Sequence, residues 1–173
     1  MGSCTPATMP VPDRAHVIRI PLFVWAELIP ELRRRGAGRR ESGVFLLGRG
    51  DTLKPRVTTC LYYDDLDPRA LDSGAVNFHS EGYAKLWEYC RAHCLEVLAD
   101  IHTHPGRDVR QSSIDERHPM VPRKGHTAMI VPNLGRTSRW SLAFIGVYEY
   151  LGNFKWRTHA PGAKSRRVRL SLW

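Results

Sequence analysis

Two histidines one residue apart, His102 and His104, and an aspartate eleven residues after the second, Asp115, are the side chains of this chain best suited to chemistry. Imidazole and carboxylate are the ligands that zinc takes in hydrolytic centres, and three protein ligands leave the fourth tetrahedral position open for water. In an extended segment residues two apart point the same way, so both histidines can reach one ion from a strand end while Thr103 turns aside. Pro105-Gly106 then forces the chain into a loop that can carry Asp115 back to them. Plain loop histidines and a helix-capping aspartate are the competing reading of the same residues. A water activated at such a centre needs a base to take its proton, and that base has to come from elsewhere. Glu41 is the best-placed acid, because a carboxylate heading a buried apolar strand is costly unless it faces a site. Ser112 could donate to the oxyanion of a scissile carbonyl. Taken alone, Ser112 and Ser113 read first as a helix cap.

The elements that must position these residues follow from patterning. His16 to Pro21 reads as a first strand, and Leu22 to Arg35 as a helix ending at Gly36, with Pro30 predicting a kink or a late restart. Glu41 to Gly48 is a short apolar run bounded by glycine, hence a buried strand. Strands are expected at Pro55 to Tyr63, Ala75 to Phe78, Thr127 to Val131 and Ser141 to Tyr150, with Asn153 to Arg157 closing a hairpin across Leu151-Gly152. Ser80 caps a helix to about Cys94, after which Glu96 to His102 is the strand delivering the two histidines. Strands and helices interleave, which argues for a mixed sheet with helices on its faces. Residues 1–13 read as a disordered leader, 14–159 as one domain and 160–173 as a basic tail.

The chain has 173 residues and a net charge of +9, which suggests an acidic partner, with nucleic acid the generic candidate. Its arginines lie in short clusters that are more often solvated faces than binding sites. Four cysteines, at 4, 60, 90 and 94, have neither a disulfide-framework density nor a metal spacing, and Cys90 and Cys94 read as small core residues. No stretch approaches transmembrane length, so a soluble cytoplasmic protein with reduced thiols and no membrane contact is expected. Asp100 reads as structural. His118 and His126 lie near the motif, yet they, like His16, His79, His93 and His159, read as loop or surface residues.

His102-x-His104-Pro105, six residues, Ser112, two residues and Asp115 resembles the full pattern of the JAMM metalloproteases, the MPN/JAB-domain (Mov34/PAD1-like) family. The family's upstream E-x-x-G-x-x-x-G is matched by Glu41 to Gly48, except that Val44 stands at the inner glycine. Asp115-Glu-Arg-His-Pro and Ile130-Val-Pro-Asn look like the prokaryotic branch. The resemblance implies a three-layer α/β domain of the cytidine-deaminase-like kind holding one catalytic zinc. His102, His104 and Asp115 would be its ligands, Glu41 the general base on the zinc water and Ser112 the oxyanion stabiliser. It further implies an isopeptidase or peptidase acting at the C-terminal glycine of a ubiquitin-like protein, with other conjugation proteins as possible partners. RadC-like proteins share the ligand spacing and would make this a nucleic-acid-associated protein. A non-catalytic or partner-dependent scaffold is the third expectation.

Overall fold

The structure is a computed structural model describing residues 17–49, 54–161 and 164–172. The expected leader and Cys4 lie outside the described residues. Six strands form one mixed sheet in the order β3 (Val57–Tyr62), β2 (Gly43–Gly48), β4 (Glu96–Thr103), β5 (Thr127–Val131), β6 (Gly146–Gly152) and β7 (Lys155–Thr158). Only β4 and β5 run parallel; the other neighbours are antiparallel. The crossover that parallel pairing requires is the segment between β4 and β5, and it carries Asp115. A two-stranded parallel sheet pairs β1 (Ile18–Pro21) with β8 (Val168–Ser171).

One face of the main sheet is covered by α1 (Leu22–Arg35) and by β1 and β8. Trp25, Leu28, Ile29 and Leu32 of α1 meet Val44, Leu46, Ala99, Ile101 and Met129 there. The other face is covered by α2 (Tyr63–Leu66) and α3 (Ser80–His93), which bring Tyr63, Leu66, Leu86 and Cys90 onto Phe45, Leu47 and Val97. The domain is therefore three-layered and α/β, as the interleaved pattern predicts. Central strands buried on both faces read as continuous apolar runs, and all six residues of β2 are buried.

Several elements differ from the sequence expectation. α1 is continuous through Pro30, whose ring lies on the solvent-exposed side of the helix. Ala75 to Phe78 is a loop, not a strand: Phe78 is held by ring contacts with Phe45 and Tyr63, not by ladder pairing. Only Gly146–Gly152 of the expected Ser141–Tyr150 strand is extended, because residues 142 to 145 turn on an Ile145 amide to Leu142 carbonyl bond. The N-cap of α3 is His79, not Ser80, with Asp67 binding both its amide and its ring. Cys90 is buried, whereas Cys94 is an exposed left-handed C-cap. The segment expected as a basic tail contributes β8 and buries Arg167 against Glu149 and Thr127.

Gly43 permits a close contact between β2 and α2. A Cβ there would stand 2.1 Å from the fully buried ring of Tyr63. Gly43→Ala is thus expected to lose about 1–3 kcal/mol by overpacking. Chemical denaturation reads this, and unchanged stability would contradict the seating of Tyr63 against β2.

Candidate metal centre

Asp100 and His102 alternate at the end of β4 and share a face, and His104 follows directly on its last residue, its amide donating to the Val131 carbonyl of β5 at 2.8 Å. His102 is paired across the sheet with Gly43. One step on, the Thr103 amide donates to the Ser42 carbonyl at 2.9 Å, and the Ser42 amide donates to Thr103 Oγ1 at 3.0 Å. This pair of hydrogen bonds fixes Ser42 to the end of β4, and the preceding Glu41 interacts electrostatically with His102 and His104. Upstream, Ser42 Oγ donates to the Leu32 carbonyl at 2.8 Å, fixing the strand start to the end of α1.

The loop after His104 returns to the site through four attachments. The Asn133 amide donates to the Gly106 carbonyl, and the Leu134 amide to the His104 carbonyl. Tyr148 Oη donates to the Val109 carbonyl at 2.6 Å, and Trp156 Nε1 to the Glu116 carbonyl at 3.1 Å. Gly146 allows the close pass, since a Cβ on it would come 2.5 Å from the Val109 carbonyl oxygen. The short helix α4 (Ser113–Arg117) then begins at Ser112 with a capping box: Ser112 Oγ accepts from the Asp115 amide, and the Asp115 carboxylate accepts from the Ser112 amide.

The three expected ligands come together. His102 Nε2 lies 3.0 Å from His104 Nε2, Asp115 Oδ1 lies 3.4 Å from His102 Nε2, and Asp115 Oδ2 lies 3.4 Å from His104 Nε2. Ligand atoms about 2.0–2.2 Å from a tetrahedral ion stand roughly 3.3–3.6 Å apart; the two histidine–aspartate separations fall in that range and the two imidazoles sit slightly closer, so the donor set suits zinc in chemistry and needs only a small parting of the imidazoles. Among the described residues this is the one cluster of histidine, cysteine and acid side chains compact enough to hold an ion. His104 Nδ1 donates to the Asp108 carbonyl at 3.3 Å, which leaves the Nε2 lone pair facing the cluster. A cleft of about 830 Å³ opens beside it, lined by His104, Ser112, Tyr148, Phe154, Trp156 and Thr158 among others.

Electrostatics pair an ionised Asp115 with a proton-retaining His102. Burial alone would raise the Asp115 carboxyl, but its hydrogen bonds to His102 and His104 and the charge of His102 hold it far below the usual range. Burial alone would lower His102, but its bond to Asp115 outweighs that and raises it. Glu41 is pushed up by burial, against the pull of His102 and His104 and the Val76 amide, which donates to its Oε2 at 3.4 Å. In the metal-free protein the Asp115 contribution to stability is present above about pH 4 and lost on acidification. That of His102 is present below about pH 6.5 and fades as pH rises through its raised value. An ion must displace the His102 proton. Zinc affinity is therefore expected to rise about tenfold per pH unit on the acid side of that titration, measurable by competition with a chromophoric chelator. A flat profile between pH 5.5 and 7 would contradict the ligand role of His102.

His126, expected on a loop or the surface, is buried. Its Nε2 lies 2.6 Å from Asp100 Oδ1, and Tyr63 Oη donates to Asp100 Oδ2 at 3.3 Å. His118, His79, His93 and His159 take no part in the ligand cluster.

No protein-family profile matches the chain. Its fold is shared with protein DSY2949 from Desulfitobacterium hafniense, with a TM-score of 0.60, 16% identity, and 91% of this chain and 94% of that one covered. A JAB1/MPN domain protein from Archaeoglobus fulgidus is similar at a TM-score of 0.48 and 14% identity, over 90% of this chain and 98% of that one. A protein from Salinibacter ruber is similar at 0.48 and 18% identity, over 80% and 91%.

Proposed function

We propose that the chain is a zinc-dependent isopeptidase or peptidase that cleaves at the C-terminal glycine of a ubiquitin-like protein, in the manner of the JAMM family it resembles. The observation that carries this reading is that the two histidines and the aspartate of the motif, with their sequence spacing, meet at ligand-to-ligand distances, while Glu41, two residues ahead of β2, lies near enough to interact electrostatically with all three.

His102, His104 and Asp115 would hold the ion, and a zinc ion there would supply an acidified water and Lewis-acid polarisation of the scissile carbonyl. Glu41 takes the proton of the attacking water and passes it to the amine as the carbon–nitrogen bond breaks, ending in its starting state. Its raised affinity for protons suits both halves of that transfer. Ser112 accepts the Asp115 amide through a lone pair, so its hydroxyl hydrogen remains available to donate to the oxyanion. The capping and catalytic readings of Ser112 are thus compatible. β7 closes one end of the main sheet and supplies Trp156 and Thr158 to the cleft, so an extended modifier tail has an edge on which to add a strand.

The test is hydrolysis of a ubiquitin-like protein fused through its terminal glycine to a fluorescent amine. Chelation abolishes cleavage and zinc restores it; cleavage that survives complete removal of metal overturns the proposal. No helix of the described residues is long and apolar enough to cross a membrane.

A further inference from the structure

On the sheet face covered by α1, a second cleft of about 960 Å³ lies between the last turns of that helix, the turn after it, and the loop after the 3₁₀ turn Asn133–Gly135. Its lining includes Arg33, Arg34, Arg136 and Arg139, with Thr137 and Ser138, and no carboxylate. The arginines of α1 divide by partner. Arg34 is tied to Glu31, and Arg35 to Glu31, Asp64 and Asp65. Arg33, Arg136 and Arg139 have no ion pair among the described residues; Arg136 donates only to the Gly38 carbonyl at 3.4 Å. Three arginines without a carboxylate partner among the described residues thus line one cleft, and their like charge favours a bound polyanion. At the rim, the guanidinium of Arg139 lies 4.7 Å over the ring of Trp140, whose side chain is 59% exposed.

We infer that this cleft binds single-stranded nucleic acid, with Arg33, Arg136 and Arg139 on successive phosphates and Trp140 stacking a base. Basic side chains that track a backbone, beside an aromatic plane, are the arrangement that binds single strands without reading sequence. A duplex would offer Trp140 no base face. An acidic peptide would satisfy the guanidiniums and leave the indole without a stacking partner. The inference is independent of the peptidase reading. It does place a polyanion at the metal end of the sheet, since the Leu134 amide of this loop binds the His104 carbonyl.

The experiment is anisotropy titration of a labelled 20-nucleotide oligo(dT) by the full chain across a range of salt. The triple variant Arg33→Ala, Arg136→Ala, Arg139→Ala is expected to flatten the slope of log affinity against log salt by about 2, from three phosphate contacts at roughly 0.7 each. Trp140→Ala is expected to weaken binding about tenfold or more at every salt, with the slope retained. The variant Lys164→Ala, Arg166→Ala, Arg169→Ala removes equal charge from exposed positions elsewhere and is expected to leave slope and affinity near wild type. The inference is overturned if that variant flattens the slope as much as the cleft variant, if Trp140→Ala binds like wild type, or if polyglutamate displaces the oligonucleotide as well as unlabelled oligo(dT) does.

Discussion

Glu41→Gln is expected to lower the turnover of the proposed hydrolysis by about 10²–10⁴-fold, the range for loss of a positioned general base, while zinc remains at one ion per chain. The substitution is close to isosteric. The amide oxygen can still accept the Val76 amide, and the strand-end bonds between Ser42 and Thr103 do not involve this side chain. What disappears is a group able to take a proton and give it back. Kinetics on the glycine-linked reporter with parallel metal analysis separate the outcomes. Retained turnover contradicts the base assignment, and loss of zinc together with activity makes Glu41 a ligand instead.

Asp100→Ala is expected to cost about 3–5 kcal/mol, because it strips two buried groups, the His126 imidazole and the Tyr63 hydroxyl, of their shared hydrogen-bond partner at about 1–3 kcal/mol each. Asp100 and His126 are both buried, with 2.6 Å between Oδ1 and Nε2. His126 Nδ1 has no partner among the described residues, so the substitution leaves the imidazole with neither nitrogen satisfied. Tyr63 Oη loses its acceptor at the same time. At about 2–4 °C per kcal/mol for a chain of this size, thermal unfolding of the metal-free protein should drop by roughly 6–20 °C. Asp100→Asn keeps one acceptor oxygen and places an amide NH2 at the other position, so it should recover only part of the loss. A melting point within a degree of wild type for Asp100→Ala would show that the network carries little of the fold.

The site was readable in sequence where its logic is local. The parity of a strand puts His102 and His104 on one face whatever the rest of the fold does. Glu41 stood out because an acid at the head of a run as apolar as Gly43–Gly48 needs a reason to be there. Ser112 to Asp115 has capping-box spacing, and that local signal proved sound. His126 was not legible. Its burial comes from the parallel pairing of β4 with β5, which brings it to Asp100 from 26 residues away, while its own neighbours Lys124 and Gly125 look like a loop. β8 was hidden for a similar reason. Val168-Arg169-Leu170-Ser171 does alternate apolar and polar, but the arginines before it dominate the composition, and its partner β1 lies at the other end of the chain. The loop from Ala75 to Phe78 misled in the opposite direction, since its apolar residues pack aromatic rings and its Val76 amide serves Glu41.

Zinc-edge X-ray absorption of the zinc-loaded chain tests the central claim most directly, because it reports the atoms around the metal. The account predicts one ion per chain, two imidazoles, and oxygen in the remaining positions, all at about 2.0–2.2 Å. A sulfur shell near 2.3 Å, or fewer than two imidazoles, would contradict it.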